Sequence, residues 1–222
     1  MRSASSSLAE GTILKYQITL KYMNFLITGR YKLRNNKASY YLDEGWSSFF
    51  KKIRSNYKLY KKNFSKKKIL EFDCLIISGG GDIYKISKNK LDKNRDKSEL
   101  NLIKIFEENK KPIIVICRGF QLLGSYYKNK LLKIENHVRT MNSIKIQKNL
   151  YLKTSKILSN SYHNYGFFKL NEKFKIIGRS TDKSIELAEM RGKKILCMMF
   201  HPERYNASQR QINILIRNFI YN

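Results

Sequence analysis

One cysteine in the chain stands where a nucleophile is typically held. Cys117 follows the short apolar run Pro112–Ile116 and precedes Gly119 and a segment with a helical pattern. A tight turn between a strand and a helix exposes the side chain at its apex. The positive end of the helix dipole also favours the thiolate, which is the reactive form of cysteine. The sequence therefore predicts a nucleophilic cysteine above a sheet edge.

A candidate base and its orienting group follow a later apolar strand. That strand ends in Phe200, His201, Pro202 and Glu203. A cysteine, a histidine and a carboxylate can supply a nucleophile, a base and a group that orients the base. We expect Cys117, His201 and Glu203 to be the catalytic residues of a cysteine-dependent hydrolase. This expectation requires the imidazole to lie beside the sulfur.

A glycine run follows another predicted strand. Gly79, Gly80 and Gly81 come directly after Cys74–Ser78, where a turn can direct backbone N–H groups at a reaction centre. Gly80 and Gly81, with the N–H of Arg118, are the predicted oxyanion hole, in which one donor typically contributes about 2.7–4 kcal/mol. The alternative is an ordinary glycine loop between a strand and coil. The cysteine and the histidine at other strand ends favour the functional interpretation.

The elements around these residues alternate between strands and helices. After a first strand at Met23–Arg30, helical apolar patterns cover Tyr40–Ile53, Ser98–Glu108 and Ala207–Ile220, and a polar loop covers Lys85–Lys97. The order of strand, helix, strand and helix predicts βαβ units and a parallel sheet with helices on both faces. The shorter extended pieces after Ser143 predict a small antiparallel extension.

Length and cysteine content suggest one domain in a reducing compartment. The 222 residues suit a single core, which we expect at 23–222, preceded by an N-terminal extension at 1–22 that is disordered or not native. No apolar run approaches the ~20 residues that span a bilayer. Three cysteines provide neither a disulfide framework nor a paired metal motif. We therefore expect a cytoplasmic protein that needs no cofactor and no metal.

The net charge of +28 raises nucleic-acid binding as an alternative function. The lysines are spread along the whole chain, and the densest run, Lys61–Lys68, lacks a basic-aromatic periodicity. Nucleic-acid binding is therefore disfavoured. A surface this basic would still steer an anionic substrate, including a nucleotide, towards the site.

Four short motifs occur in the order found in class I glutamine amidotransferase-like hydrolases. They are Ser78–Asp82, Cys117–Gln121, Ser161–Gly166 and His201–Arg204. Within these hydrolases the chain resembles the γ-glutamyl-γ-aminobutyrate hydrolase branch, also called peptidase C26, to which the Cys-Arg-Gly-x-Gln core points. The resemblance covers 23–220. It implies a flavodoxin-like three-layer α/β fold with a mostly parallel central sheet.

The resemblance also implies a reaction and a set of contacts. Cys117 would attack a γ-glutamyl amide and form a γ-glutamyl thioester, and His201, oriented by Glu203, would transfer the protons. Substrate contacts are implied for four further residues, Gln121, His163, Asn164 and Glu186. For the Arg118 side chain we favour a positioning role over binding of a substrate carboxylate.

A narrower resemblance concerns the identity of the substrate. The segments 136–140, 163–166 and 198–204 resemble a subgroup encoded with bacterial capsule and surface-glycan genes. This likeness implies γ-glutamyl-CDP-amidate as the substrate, a nucleotide conjugate whose hydrolysis gives cytidine diphosphoramidate for phosphoramidate modification of polysaccharides.

Two positions and two rival functions stay open. Val115 stands where the family has a small residue, so we expect a wider turn or reduced activity, and His137 is balanced between substrate contact and a structural role. The rival functions are a glutaminase subunit that supplies ammonia to a synthetase partner, and a non-catalytic regulator that binds a ligand. The sequence does not define the oligomeric state.

Overall fold

The computed structural model describes residues 22–34 and 37–222 and is built on a nine-stranded sheet. The expected N-terminal extension lies outside these residues except for Tyr22. The strands are β1 (Asn24–Ile27), β2 (Arg30–Arg34), β3 (Lys37–Tyr41), β4 (Asn56–Leu59), β5 (Cys74–Ile77), β6 (Ile113–Ile116), β7 (Leu132–Lys133), β8 (Val138–Ile146), β9 (Lys156–Tyr162), β10 (Tyr165–Gly166), β11 (Phe174–Ser180), β12 (Ile185–Met190) and β13 (Ile195–Met198).

The helices connect or flank these strands. They are α1 (Gly45–Lys52), α2 (Lys66–Leu70), α3 (Tyr84–Ser87), α4 (Lys90–Glu108), α5 (Arg118–Tyr126) and α6 (Gln209–Tyr221). Across residues 22–34 and 37–222, none of the helices combines the length and the apolar character needed to cross a membrane.

The central sheet has a parallel half and an antiparallel half. Its order is β4-β1-β5-β6-β13-β12-β11-β8-β9. The pairs from β4 to β13 are parallel, and those from β13 to β9 are antiparallel. Two small sheets, β2 with β3 and β7 with β10, lie beside it. The predicted α/β class, with a parallel part and an antiparallel extension, is confirmed, and the antiparallel part is larger than predicted because it contains as many strand pairs as the parallel part.

The core lies in two layers, one on each face of the sheet. Successive side chains of a strand point to opposite faces, and β1 follows this rule. Phe25 packs in the cluster that contains Trp46 of α1, whereas its neighbour Leu26 packs with Phe106 of α4. Because each such buried side chain contributes about 1.5–3 kcal/mol, packing against both helix layers holds β1 in place.

Two helix starts differ from the sequence prediction. The helix predicted from Tyr40 begins at Gly45, because the preceding residues pair with β2 in a hairpin. The polar loop predicted over Lys85–Lys97 is wrong in its second half, where α4 begins at Lys90. Asn89 caps α4 by accepting a hydrogen bond from the Leu91 N–H at 2.8 Å. Because charged residues occupy part of the buried face of α4, its sequence lacks the apolar periodicity that predicts a helix.

Candidate active site

Three neighbouring parallel strands place the candidate catalytic residues at one edge of the sheet. β5 leads into the glycine loop, β6 ends directly before Cys117, and β13 ends three residues before His201. The carboxyl ends of parallel strands meet at the same sheet edge, which is where open α/β sheets usually bind ligands. The topology therefore brings together segments that are far apart in the sequence.

Cys117 occupies the predicted tight turn between β6 and α5. Its backbone angles are φ 48° and ψ −103°, a left-handed conformation that costs a residue with a side chain on the order of 1–3 kcal/mol. Two hydrogen bonds hold this turn. The Cys117 N–H donates to the Met198 carbonyl at 2.7 Å, and the Gln121 N–H donates to the Cys117 carbonyl at 2.9 Å. The turn directs the thiol towards the end of β13.

Cys117 and His201 lie side by side. The imidazole of His201 hydrogen-bonds to the Cys117 thiol. Both residues approach Gly79 so closely that a Cβ atom there would lie 2.5 Å from His201 Cε1 and 3.3 Å from Cys117 Cβ. A side chain at position 79 would therefore displace the imidazole. The imidazole thus lies beside the sulfur, as the expected cysteine chemistry requires.

The pKa values of Cys117 and His201 are shifted in opposite directions. Burial opposes ionisation of the Cys117 thiol, but the charge and the hydrogen bond of His201 outweigh it and lower the thiol pKa. Burial also opposes protonation of His201, yet the charges of Glu203 and Cys117 raise its pKa to about 10. Both shifts favour a thiolate beside an imidazolium at neutral pH.

His201 is fixed on its ring and on its backbone. Its Nδ1 hydrogen-bonds to Glu203 Oε1 at 2.7 Å, which leaves the other ring nitrogen available to the sulfur. Buried Asn160 on β9 accepts from the His201 N–H at 2.9 Å and donates to the His201 carbonyl at 2.8 Å. Asn160 was not a predicted site residue, although it lies directly before the Ser161–Gly166 motif.

The Arg118 side chain points away from the sulfur into a buried ionic network. It forms ion pairs with Glu99 and Asp96 of α4 and donates from Nε to the Asp82 carbonyl at 3.0 Å. Its backbone N–H, by contrast, hydrogen-bonds to the sulfur of Cys117. The positions of the side chain and of the N–H fit the positioning and oxyanion-hole roles expected for Arg118, and both roles stay predictions.

The same network holds the glycine loop from below. Arg95 donates to the Gly80 carbonyl at 2.7 Å and pairs with Glu99 at 2.8 Å. Gly80 has a φ of 89°, and a Cβ atom on it would meet the Arg30 side chain. Gly81 has a φ of 74° and faces open space. The loop nears the sulfur through Gly79, and the oxyanion-hole role of Gly80 and Gly81 stays a prediction.

Two of the predicted substrate contacts lie together in a buried histidine–carboxylate cluster. His163 Nε2 is 3.5 Å from Glu186 Oε1, and both residues are almost fully buried. Burial opposes protonation of His163, but the hydrogen bond and charge of Glu186 raise the pKa of His163. The charge of His163 in turn helps to lower the pKa of Cys117. His137 joins this cluster, with its Nε2 3.0 Å from Asp182 Oδ2. Asp182 was not a predicted site residue, and nothing in its local sequence marks it.

The remaining predicted residues lie at the edges of the site. Gln121 donates from Nε2 to the Tyr165 carbonyl at 2.8 Å. Asn164 is exposed, and its carbonyl accepts a hydrogen bond from the Ile134 N–H at 2.8 Å. Val115 is fully buried in the α4 side of the core and pairs with Ile77 in the sheet. The valine thus packs within the core below the turn.

Comparisons with known proteins agree with this arrangement. The peptidase C26 family model matches residues 58–203. The chain is 33% identical over 147 residues to gamma-glutamyl-CDP-amidate hydrolase of Campylobacter jejuni, an alignment that covers 66% of this chain and 70% of that protein.

Solved structures share the architecture. A glutamine amidotransferase from Thermotoga maritima superposes with a TM-score of 0.63 at 14% identity, covering 89% of this chain and 82% of that one. A glutamine amidotransferase from Methylobacillus flagellatus gives a TM-score of 0.60 at 13% identity, covering 82% and 71%. At these identities the two structures show a shared fold alone.

The family match spans well over half of the chain and includes Cys117, His201 and Glu203. The expected resemblance is therefore confirmed at the level of family and fold. The chain belongs to the peptidase C26 family and is a hydrolase that acts on carbon–nitrogen amide bonds.

Proposed function

We propose that the protein hydrolyses a γ-glutamyl amide with Cys117 as nucleophile, His201 as acid and base, and Glu203 as the group that orients His201. The observation that carries this proposal is the hydrogen bond between His201 and the thiol, together with the 2.7 Å contact between His201 Nδ1 and Glu203 Oε1. The γ-glutamyl part of the proposal is supported by the activity after which the Campylobacter jejuni relative is named.

The first half of the reaction forms a thioester. The Cys117 thiolate attacks the γ-carbonyl carbon, and the carbonyl electron pair moves onto the oxygen, where the Arg118 N–H and the glycine loop donate hydrogen bonds. His201 gives its proton to the leaving nitrogen as the carbon–nitrogen bond breaks. The amine or amidate departs, and a γ-glutamyl group stays on the sulfur.

The second half returns the enzyme. The neutral His201 imidazole takes a proton from water, and the resulting hydroxide oxygen attacks the thioester carbon. The carbon–sulfur bond breaks, and glutamate leaves as its γ-carboxyl proton passes to solvent. Cys117 thereby regains its thiolate beside the protonated imidazole. Glu203 stabilises the imidazolium in both halves because its carboxylate hydrogen-bonds to Nδ1.

For the leaving group we propose a cytidine diphosphoramidate, so that γ-glutamyl-CDP-amidate is the substrate. The similarity to the Campylobacter jejuni enzyme supports this choice. A cavity of about 420 Å³ beside the ends of β1 and β4 adds support. Its cationic side chains can bind phosphates, and its phenol rings can stack on a nucleotide base. Its lining includes Tyr40, Tyr60, Lys61 and Lys62.

The test compares substrates and a nucleophile variant. Purified protein is incubated with γ-glutamyl-CDP-amidate, γ-glutamyl-γ-aminobutyrate or glutamine, and the rate of glutamate formation is measured. We expect the nucleotide conjugate to give the highest kcat/KM, and Cys117→Ala to lower kcat by at least about 10³-fold while the circular dichroism spectrum is unchanged. Full turnover in Cys117→Ala would reject the cysteine mechanism. A preference for glutamine would instead favour the glutaminase function.

A further inference from the structure

Three buried ligand atoms form a nearly equilateral triangle beside the proposed catalytic residues. His137 Nδ1 lies 3.3 Å from His163 Nε2, and Glu186 Oε1 lies 3.5 Å from each of these nitrogens. All three residues are at least nine-tenths buried, with relative exposures of 4%, 3% and 1%. The ligand atoms thus face one another in a region that solvent scarcely reaches.

The spacing matches a tetrahedral metal ion. Zinc binds nitrogen and carboxylate oxygen at about 2.0–2.2 Å, which separates neighbouring ligands of a tetrahedron by roughly 3.3–3.5 Å. An octahedral ion with similar bond lengths would bring neighbouring ligands to about 3 Å. The observed triangle therefore fits the tetrahedral geometry with little movement of the side chains.

Both imidazoles already have the second partner that metal-bound histidines normally have. His137 Nε2 lies 3.0 Å from Asp182 Oδ2, and His163 Nδ1 lies 3.1 Å from the Tyr165 carbonyl. A carboxylate or carbonyl on the outer nitrogen holds the proton there and turns the lone pair of the other nitrogen inward. The Asn142 amide at 2.9 Å and the Ser161 hydroxyl at 3.2 Å from His137 Nδ1 are the contacts that a bound ion would replace.

Glu186 supplies a second and independent reason to expect a cation. The Oε2 atom of Glu186 is buried and has no hydrogen-bond partner among the described residues. The other oxygen, Oε1, forms the ion pairs with His137 and His163. A buried carboxylate with an unsatisfied oxygen is costly unless a charge or a metal compensates it. An ion at the centre of the triangle would compensate the charge of this carboxylate through Oε1, which already accepts a hydrogen bond from Ser184 Oγ at 3.1 Å.

We propose that His137, His163 and Glu186 bind one divalent transition-metal ion, and that Zn²⁺ is the ion the donors fit best. Two imidazoles favour zinc or cobalt over magnesium or calcium, which prefer oxygen ligands. The fourth position accepts water or a carboxylate. This site goes beyond the proposed hydrolysis and departs from the sequence-based expectation that no metal is bound. The ion would place a fixed positive charge near the nucleophile.

The experiment uses metal-free protein carrying Cys117→Ala, so that neither the reactive thiol nor catalysis contributes. Binding of Zn²⁺ is measured by isothermal titration calorimetry, and Co²⁺ serves as a spectroscopic probe. We expect one equivalent to bind, with the intense visible absorption of tetrahedral cobalt and a raised melting temperature in zinc. Because substrate turnover is absent, failure of this test says nothing about the proposed reaction.

Further variants in the same background separate ligands from their neighbours. His137→Gln and Glu186→Gln remove ligands and should abolish the cobalt spectrum. Asp182→Asn alters only the outer partner of His137 and should weaken zinc binding about 10–100-fold. Glu172→Gln changes an exposed carboxylate and should leave binding unchanged. Circular dichroism without metal confirms that each variant folds.

Three outcomes would overturn the proposal. The first is binding of equal strength in the ligand variants, which would mark the metal as adventitious. The second is an octahedral cobalt spectrum. The third is absence of binding to a folded protein, which would mean that His163 instead carries two protons and donates to Tyr165 and to Glu186.

Discussion

At the scale of single residues, the three cysteines of the chain differ in chemistry because their surroundings differ. Cys74 and Cys197 lie inside strands, and burial raises the pKa of each thiol far above its ordinary value. Cys117 is just as buried, but the adjacent His201 lowers its thiol pKa. The adjacent imidazole therefore favours the thiolate at Cys117, whereas the other two thiols stay protonated.

This difference predicts how the thiols react with iodoacetamide. At neutral pH we expect alkylation of Cys117 alone, with a rate that rises through a midpoint below the ordinary thiol pKa, because only the thiolate reacts. Glu203→Gln should move this midpoint upward, since the imidazolium loses the charge that stabilises it. Mass spectrometry locates the label. Alkylation of Cys74 or Cys197 at a similar rate would contradict the prediction.

The pH dependence of hydrolysis follows from the same pair. The proposed mechanism requires the thiolate and the imidazolium together, so activity should rise as Cys117 ionises and fall as His201 loses its proton near pH 10. In Glu203→Gln we expect the alkaline limb to move to lower pH and kcat to fall about 10³–10⁴-fold. An unchanged alkaline limb in that variant would show that another group titrates there.

At the scale of elements, α5 is held against the sheet by a close approach at Gly119. A Cβ atom at this position would lie 2.7 Å from the Ile77 carbonyl and 2.8 Å from Ile77 Cγ2. The carbonyl belongs to the backbone of β5 and has little freedom to move. Gly119 thus sets the distance between the glycine loop and the turn that carries Cys117.

We therefore expect Gly119→Ala to lower both stability and activity. Overpacking typically costs about 1–3 kcal/mol, which exceeds the roughly 0.5–1 kcal/mol that alanine gains over glycine in a helix. Urea unfolding measures the first effect and kcat the second. Ser125→Ala in the same helix removes a buried hydroxyl without a hydrogen-bond partner among the described residues. This control should leave activity unchanged and should not lower stability. A Gly119→Ala variant as stable and active as wild type would refute this account.

The sequence predicts strong apolar elements well and charged buried ones poorly. The strands at Cys74 and at Ile113, and the turn at Cys117, follow from runs of apolar residues that end abruptly. The first two turns of α4 do not, because Arg95 looks solvent-exposed in the sequence and becomes buried only by pairing with Glu99, which in turn pairs with Arg118. Long-range pairing of this kind leaves no local signal.

The candidate site divides in the same way. Cys117, His201 and Glu203 are marked by strand ends and short motifs, so their convergence follows from a parallel sheet. Asn160 and Asp182 act through contacts with residues 41 and 45 positions away. Such contacts depend on how β9 and the segment before β12 fold back, which the spacing of residues alone does not reveal.

At the scale of the whole molecule, the effect of the +28 net charge depends on where the individual lysines lie. Lys61 and Lys62 line the cavity beside the ends of β1 and β4, whereas Lys66 and Lys67 lie on the exposed helix α2. Distant surface charges steer an anion and are screened by salt, while charges in a cavity also hold the bound anion. The two lysine pairs allow these effects to be separated.

We expect Lys61→Ala with Lys62→Ala to raise KM for γ-glutamyl-CDP-amidate roughly tenfold, in line with two partly exposed ionic contacts. The matched pair Lys66→Ala with Lys67→Ala removes the same charge and should change KM little. Neither pair should affect γ-glutamyl-γ-aminobutyrate. Steady-state kinetics at 0.15 M and at higher salt measures this, and equal effects of both pairs would reject the cavity as the nucleotide site.

The position of β13 affects how the protein is made. This strand is among the last elements in the sequence, yet it inserts between β6 and β12 in the middle of the sheet. While the ribosome is still translating the segment before it, β6 presents an unpaired apolar edge, which promotes association between nascent chains. The same late insertion delivers His201 to Cys117. A product that stops before β13 is therefore expected to aggregate and to lack the proposed catalytic pair, so pairing of the β6 edge and completion of the candidate site depend on one step.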